Sequence, residues 1–236
     1  MTITFKKSAL AAVGLLALGA CSDSDDVQEI IDTPVVIPTQ SYQIEVVNLT
    51  ANQPMSPIAV LSHTDAVMVW QTGMPASNAL EVLAESGDAS GFSDLDGVLA
   101  SANGAGILPP GGKEMIDLEL SSLEIDRLSL ATMLVNTNDA FTGINGADFA
   151  SLAVDASHTF YLNAYDAGTE GNTEAKGSIP GPADGGEGYL EARDDIDRVH
   201  LHPGVLSASD GLSDSVLGPS HRFDNPVLMV RITRTE

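Results

Sequence analysis

Basic residues are scarce in this chain. Its 236 residues include 10 Lys and Arg against 33 Asp and Glu, which gives a formal net charge of -23 at pH 7. A surface this acidic is repelled by phosphate backbones, so the composition argues against nucleic acid as a partner. The same surface suits cations, or basic patches on another protein.

Cysteine is nearly absent as well. The sequence contains one, Cys21, so no disulfide can form within the chain. Hydrophobic residues make up 43% of the composition. That proportion is enough to build a core without covalent cross-links.

Common catalytic signatures are also missing. The sequence has no Gly-x-Ser-x-Gly elbow, and its glycine-rich residues 104–112 lack the Lys-Ser/Thr ending of a phosphate loop. Aromatic residues make up 5% of the chain, too few to line the sugar-sized cleft of a glycosidase that uses paired carboxylates. We assign Trp70, Phe141 and Phe160 to the core and predict no catalytic activity.

Residues 1–20 predict a secretory signal peptide. Lys6 and Lys7 form a basic start, and the apolar residues 9–20 are fewer than the ~20 that a membrane span requires. The segment ends in the letters LGAC, with Cys21 last, and resembles a bacterial lipobox. The resemblance implies cleavage before Cys21 and attachment of fatty acyl chains such as palmitate, which would anchor the protein to a membrane.

The residues after Cys21 predict where the protein is held. Ser22, rather than Asp, follows the cysteine, which by resemblance to Gram-negative lipoproteins implies the outer membrane, facing the periplasm or the cell surface. Residues 21–41 predict a flexible tether, because their acidic side chains keep the segment solvated. Pro34 and Pro38 stiffen it locally toward an extended polyproline II conformation. The folded domain is expected over residues 42–236.

Alternating apolar residues predict a mainly β domain. Residues 127–135 are apolar on both faces, which is typical of a buried central strand. A helix is expected after the N-cap Ser77, ending at Gly87, and a weaker one over residues 92–100. Together these elements predict an antiparallel β-sandwich with one or two short helices. The strands are predicted at residues 42–49, 58–63, 113–120, 127–135, 159–162 and 225–233.

A long stretch, residues 165–220, has little regular pattern. A segment of this length without secondary structure is uncommon inside a compact domain. It predicts a functional insertion or a mobile region.

Two acidic loops follow apolar β-like runs. The first, residues 136–143, contains Asp139, and the second, residues 165–172, contains Asp166 and Glu170. If the two strand ends are neighbours, these carboxylates converge, and clustered carboxylates repel one another unless a cation lies among them. Carboxylate oxygens suit Ca²⁺, although Asp-Ala-Gly and Asn-Asp are also good turn formers.

The same residues resemble a known family, the spondin domain found at the N-terminus of F-spondin and mindin. The resemblance is carried by the LATMLV run at residues 130–135, the ND-x-F-x-G loop at residues 138–143, and the YDAGTE motif at residues 165–170. It extends over residues 42–236. The Asp-Ala-Gly-Thr-acid motif is its most specific part.

The resemblance implies an antiparallel β-sandwich with bound calcium and a role in extracellular adhesion. It assigns Asp139 and Asp166 to the metal site. Glu170 stands where the animal domains carry Asp, so its coordination there is retained with altered geometry or lost. The chain lacks the cysteines and attached repeats of the animal proteins, which puts their integrin and matrix partners in doubt.

A second possible metal site lies at His200 and His202, which alternate along the chain with Asp194, Asp195 and Asp197 nearby. Imidazole nitrogens suit transition metals and general-base chemistry. No third ligand is dictated by the spacing. Two alternating histidines on a solvent-facing strand are common without a bound metal, and His202 with Pro203 and Gly204 is typical of the start of a turn.

The sequence therefore predicts a surface-anchored, calcium-binding adhesion or ligand-binding module without catalytic activity. Its partner would be an extracellular protein or glycan, besides the membrane that holds its anchor. Two alternatives stay open. One is a metal-dependent envelope enzyme that uses His200 and His202, and the other is a purely structural envelope lipoprotein.

Overall fold

The computed structural model describes residues 36–236. The predicted signal peptide, the lipid attachment site at Cys21 and most of the predicted tether lie outside this range. The first strand begins at Thr39, three residues before the predicted start of the domain. The elements are β1 (Thr39–Asn48), β2 (Ala59–His63), α1 (Asn78–Ser86), β3 (Val98–Asn103), β4 (Lys113–Ser121), β5 (Arg127–Met133), β6 (Ala140–Asp148), β7 (Ser157–Leu162), β8 (Ala164–Asp166), β9 (His200–Leu201) and β10 (Leu228–Arg234).

The strands form two antiparallel sheets, which confirms the predicted mainly β fold. The first sheet has the order β4-β1-β10-β7 and the second β3-β2-β5-β6-β8-β9. Alternation explains the first sheet: in β1 the side chains of Tyr42, Ile44 and Val46 are buried, while those between them lie toward solvent. These residues and their neighbours on β4 and β10 pack against the second sheet.

Strand β5 is the centre of the second sheet, as its two apolar faces predict. Leu128 and Leu130 belong to the core between the sheets, while Ala131 on the opposite face belongs to a second core under α1. Leu128 and Leu130 are fully buried, and burial of such a side chain stabilises a fold by roughly 1.5–3 kcal/mol. The fold therefore has three layers: sheet, sheet and helix.

Helix α1 has the predicted limits. The hydroxyl of Ser77 accepts a hydrogen bond from the backbone N–H of Leu80 at 3.2 Å, which caps the first turn. Gly87 ends the helix in the left-handed conformation, with φ 74°, and its N–H donates to the Leu83 carbonyl.

The second predicted helix, over residues 92–100, is wrong. A short 3₁₀ turn spans Ser90–Asp94, and the chain then enters β3, which pairs with β2. Gly97 between them has φ 94°, outside the helical region. Phe92, at the start of this stretch, packs under α1.

The long segment after residue 165 is built into the domain. It contributes β8 and β9 to the second sheet and encloses a third apolar cluster of Ile179, Val205 and Leu217. Within residues 36–236, no helix is both long enough and apolar enough to cross a membrane.

Candidate cation site

The register of β6 and β8 places the two acidic loops side by side. Ala140, the first residue of β6, pairs with Asp166, the last residue of β8. The backbone N–H of Ala167 donates to the Asp139 carbonyl at 3.2 Å. Antiparallel pairing thus brings the start of one strand to the end of the other, and Asp139 next to Asp166.

Asp139 is completely buried. Its Oδ2 atom accepts hydrogen bonds from the backbone N–H groups of Thr169 at 2.8 Å and Glu170 at 3.1 Å. Its Oδ1 atom is also buried and has no hydrogen-bond partner. Burial, and then the negative charge of Asp166, raise the pKa of the Asp139 carboxyl well above its usual value.

Asp166 is also fully buried, but both of its oxygens have partners. Oδ1 accepts from the backbone N–H of Gly168 at 2.8 Å, and Oδ2 accepts from the side-chain amide of Asn172 at 2.6 Å. The turn depends on Gly168, which has φ 71° and whose hypothetical Cβ would lie 2.3 Å from the carbonyl oxygen of Arg198. The YDAGTE motif thus fixes the orientation of the Asp166 carboxylate.

Two residues from a distant loop meet Asp166. Ligand atoms of Asp166, Asp195 and His200 all lie within 4.8 Å of one another. The Nε2 atom of His200 is 3.7 Å from Asp166 Oδ1, and β9 holds His200 there because its backbone pairs with that of Asp166. The structure therefore combines Asp166 of the predicted calcium site with His200 of the predicted second site.

The side chain of Glu170 does not join Asp166, Asp195 and His200. Its backbone contacts Asp139, but its side-chain Oε1 accepts from Asn138 Nδ2 at 2.9 Å. Burial raises the pKa of Glu170 to about 7, and the nearby charges of Glu85, Asp194 and Glu187 add to this effect. Its carboxylate is outside the group formed by the two aspartates and the histidine.

His202 positions Asp166 indirectly, through Asn172. Its ring is 4% exposed, Nδ1 accepts from the backbone N–H of Gly204 at 3.0 Å, and Nε2 then carries the proton and donates to Asn172 Oδ1 at 3.1 Å. Asn172 in turn donates to Asp166. Burial lowers the pKa of His202 to about 4, so the ring is neutral and orients the amide that holds Asp166.

The loop that carries Asp195 is fastened to the YDAGTE loop by backbone bonds. The N–H of Asp194 donates to the Thr169 carbonyl at 3.0 Å, and that of Asp197 to the Gly168 carbonyl at 2.8 Å. Sequence reasoning noted Asp195 merely as a neighbour of the histidines. No spacing rule connects it with Asp166, because the contact depends on how this loop packs.

A cavity of about 500 Å³ lies along the later residues of β6, from Gly143 to Ala147, next to β7 and β8. Three of its lining residues are aromatic: Trp70, Phe160 and Tyr165. Tyr165 directly precedes Asp166, and its ring contacts those of Trp70 and Phe141. The cavity and the acidic cluster are thus joined through one short strand.

The fold and this site define a class of protein: an antiparallel β-sandwich with an acidic cluster where the loops of two paired strands meet. The family model Spondin_N matches residues 48–180. The match covers more than half of the chain, which therefore belongs to the spondin N-terminal domain family. It includes Asp139, Asp166 and Glu170, whereas Asp195, His200 and His202 follow it. A search of curated proteins found no match.

Proposed function

We propose that this domain is a calcium-stabilised adhesion or ligand-binding module that acts by binding rather than catalysis. The observation that supports the proposal most directly is the Oδ1 atom of Asp139, a buried carboxylate oxygen without a hydrogen-bond partner. Leaving such an acceptor unpartnered costs about 1–3 kcal/mol or more. A cation beside it would satisfy this oxygen and offset the repulsion between Asp139 and Asp166.

The chemistry of the two aspartates supports the choice of ion. Asp139 and Asp166 supply carboxylate oxygens, which Ca²⁺ prefers, and Glu170 would need its side chain to leave Asn138 to join them. When bound, the ion supplies positive charge between two loops that otherwise carry like charges. The chain's own contribution is to hold both carboxylates, through the backbone N–H groups of residues 168–170.

The cavity lined by Trp70, Phe160 and Tyr165 is where we propose that the ligand is recognised. An apolar cavity with aromatic walls and a few polar groups is the usual form of a ligand site. Asn145 at its edge holds the loop, because its side chain accepts from the Val69 N–H at 3.1 Å. A rigid loop keeps Trp70 in position at the wall of the cavity.

We further propose that the lipid anchor at Cys21 and the tether present this domain at the cell envelope. Acyl chains of the expected length give stable anchoring when two or more are attached. The acidic surface, with a net charge of -23, would favour a partner with basic patches.

Of the alternatives, the enzyme that uses His200 and His202 as paired ligands has less support. Both ring nitrogens of His202 are engaged, one by Gly204 and the other by Asn172. The histidine would have to break both hydrogen bonds to bind a metal. A structural role without a cation leaves the unpartnered Asp139 oxygen unexplained.

Isothermal titration of the purified chain with Ca²⁺ tests the proposal. We expect a saturable site in the wild type and a clear loss of affinity in Asp139→Asn and Asp166→Asn. Asp155→Asn is a matched control, because Asp155 is an exposed aspartate in a left-handed conformation, φ 64°, that Asn also adopts. Equal calcium affinity in all four proteins would contradict the assigned site.

A further inference from the structure

The imidazole of His200 is set up as a metal ligand. Its Nδ1 atom lies 3.1 Å from the carbonyl oxygen of Leu201. Since a carbonyl only accepts, Nδ1 carries a proton, and Nε2 is the ring nitrogen that can offer a lone pair to an ion. That lone pair is on the nitrogen that faces Asp166, 3.7 Å from Oδ1.

A lone pair beside a carboxylate oxygen has nothing to bond to unless a proton or a cation lies between them. Metal-bound histidines commonly show this arrangement, with one nitrogen donating to a backbone carbonyl and the other free for the ion. His200 is about one-third exposed on its side chain, so an ion can reach Nε2 from solvent.

The other two ligands are held in place independently. The backbone N–H of Gly168 and the amide of Asn172 fix the carboxylate of Asp166, and His202 fixes Asn172. Asp195 lies in a loop in which the backbone N–H groups of Asp194 and Asp197 donate hydrogen bonds to the YDAGTE loop. The protein thus fixes the carboxylate of Asp166 and the backbone on either side of Asp195 before any ion binds.

Asp139 provides a separate observation that points to a cation. It is fully buried, it lies next to Asp166 because Ala140 pairs with that residue, and its Oδ1 atom has no hydrogen-bond partner. A doubly charged ion at Asp166 would reduce the repulsion between the two carboxyl groups.

From these contacts we infer that Asp166, Asp195 and His200 form a binding site for a divalent transition-metal ion of the zinc type. One nitrogen and two carboxylate ligands suit Zn²⁺, whereas Ca²⁺ prefers all-oxygen sites. Three protein ligands leave one tetrahedral position open to water or to a group of the bound partner. The inference rests on the proposed cation-binding role of Asp166 and adds a second ion class to it.

Equilibrium dialysis of the full chain against low micromolar Zn²⁺, with metal analysis, measures the site. We expect about one zinc ion per wild-type chain, and a loss of this ion in His200→Gln and in Asp195→Asn. His158→Gln is the matched control, because His158 is an exposed histidine on β7. Zinc bound equally by wild type and His200→Gln, or not bound at all, would overturn the inference.

Histidine-ring NMR assigns the ligand directly. On zinc addition, the Nε2 resonance of His200 should shift, while those of His158 and His221 should not. Asn172→Ala, which removes the hydrogen bond to Asp166 Oδ2, should bind zinc about 10- to 100-fold more weakly. A shift at His158 or His221 in place of His200 would overturn the assignment.

The calcium proposal and the zinc proposal can be rejected independently of each other. Asp139→Asn should weaken calcium and keep zinc, His200→Gln should weaken zinc and keep calcium, and Asp166→Asn should weaken both. Zinc binding that survives when calcium binding is absent would reject the calcium proposal alone. Calcium binding without zinc binding would reject the transition-metal site alone.

Discussion

Arg193 holds the carboxylate of Glu81 through two nitrogen atoms. Nε lies 3.0 Å from Oε1, and Nη2 lies 2.7 Å from Oε2. Nη2 also donates to the Ala76 carbonyl at 2.9 Å, just before α1. Glu81 is 3% exposed, so this pair fastens the Asp195 loop to the helix from a largely buried position.

Arg193→Ala should destabilise the domain because it leaves the Glu81 carboxylate buried and unpaired. Removal of one partner of a buried ion pair costs roughly 3–5 kcal/mol, and the partial exposure of Arg193 places the expected loss near the lower value. Urea unfolding measures it. Arg231→Ala is the control, because its pair with Glu45 is exposed, and such pairs contribute about 0–1 kcal/mol. Equal effects of the two variants would contradict the anchoring role.

Gly168→Ala should both destabilise the fold and weaken cation binding. The added Cβ would lie 2.3 Å from the Arg198 carbonyl oxygen, so the turn that orients Asp166 has to move. Gly185→Ala separates the two causes, since Gly185 also has a positive φ, 69°, but has no atom within 4 Å of its Cβ position. Left-handed strain alone costs roughly 1–2 kcal/mol. A Gly168→Ala loss no larger than that of Gly185→Ala would contradict the clash.

Glu174 should make stability fall as pH rises. Its side chain is 2% exposed, and Oε1 accepts from the Leu206 N–H at 3.0 Å while Oε2 has no partner. Burial raises the pKa of Glu174 from 4.5 to about 7. Between these values the folded state keeps a proton that the unfolded state has released, so the free energy of unfolding decreases with pH across that window.

Glu174→Gln should remove this contribution. The amide keeps an acceptor for Leu206 and does not ionise, so the stability of the variant should rise relative to wild type between pH 4.5 and 7. The full difference is at most about 3.5 kcal/mol, from ~1.4 kcal/mol for each pKa unit between 4.5 and about 7. Burial also raises the pKa values of Glu85 and Glu170, but these are common to both proteins. If the free energy of unfolding of the variant differs from that of wild type by the same amount at every pH, the prediction is contradicted.

The elements that the sequence predicts correctly are those in which the order of apolar and polar residues follows which side chains are buried. Strand β1 alternates because Ile44 and Val46 enter the core, and α1 shows both its cap, Ser77, and its stop, Gly87. Strand β6 shows no such alternation, because residues 140–144 are all buried and one of them is Gly143. A Cβ at that position would lie 1.9 Å from the Leu130 carbonyl oxygen, so close packing, rather than strand propensity, determines the residue.

Part of the candidate site could be predicted from sequence and part could not. The sequence shows Asp139 and Asp166 as acidic residues beside apolar runs, but their proximity follows from the register of β6 with β8, which pairs Ala140 with Asp166. The position of Asp195 could not be predicted, because it depends on long-range bonds of its loop, including that of Arg193 with Glu81. The direction of the Glu170 side chain depends on Asn138, a contact within the loops that spacing does not reveal.

The effect of calcium on the free energy of unfolding of wild type and Asp139→Asn tests the cation site most directly. Calcium at 100 times its dissociation constant should stabilise the wild type by about 2.7 kcal/mol. Asp139→Asn should gain almost nothing from calcium, and without calcium it should be at least as stable as wild type, because a buried charge next to Asp166 is removed. The same calcium-dependent gain in both proteins, or none in either, would contradict a calcium site at Asp139.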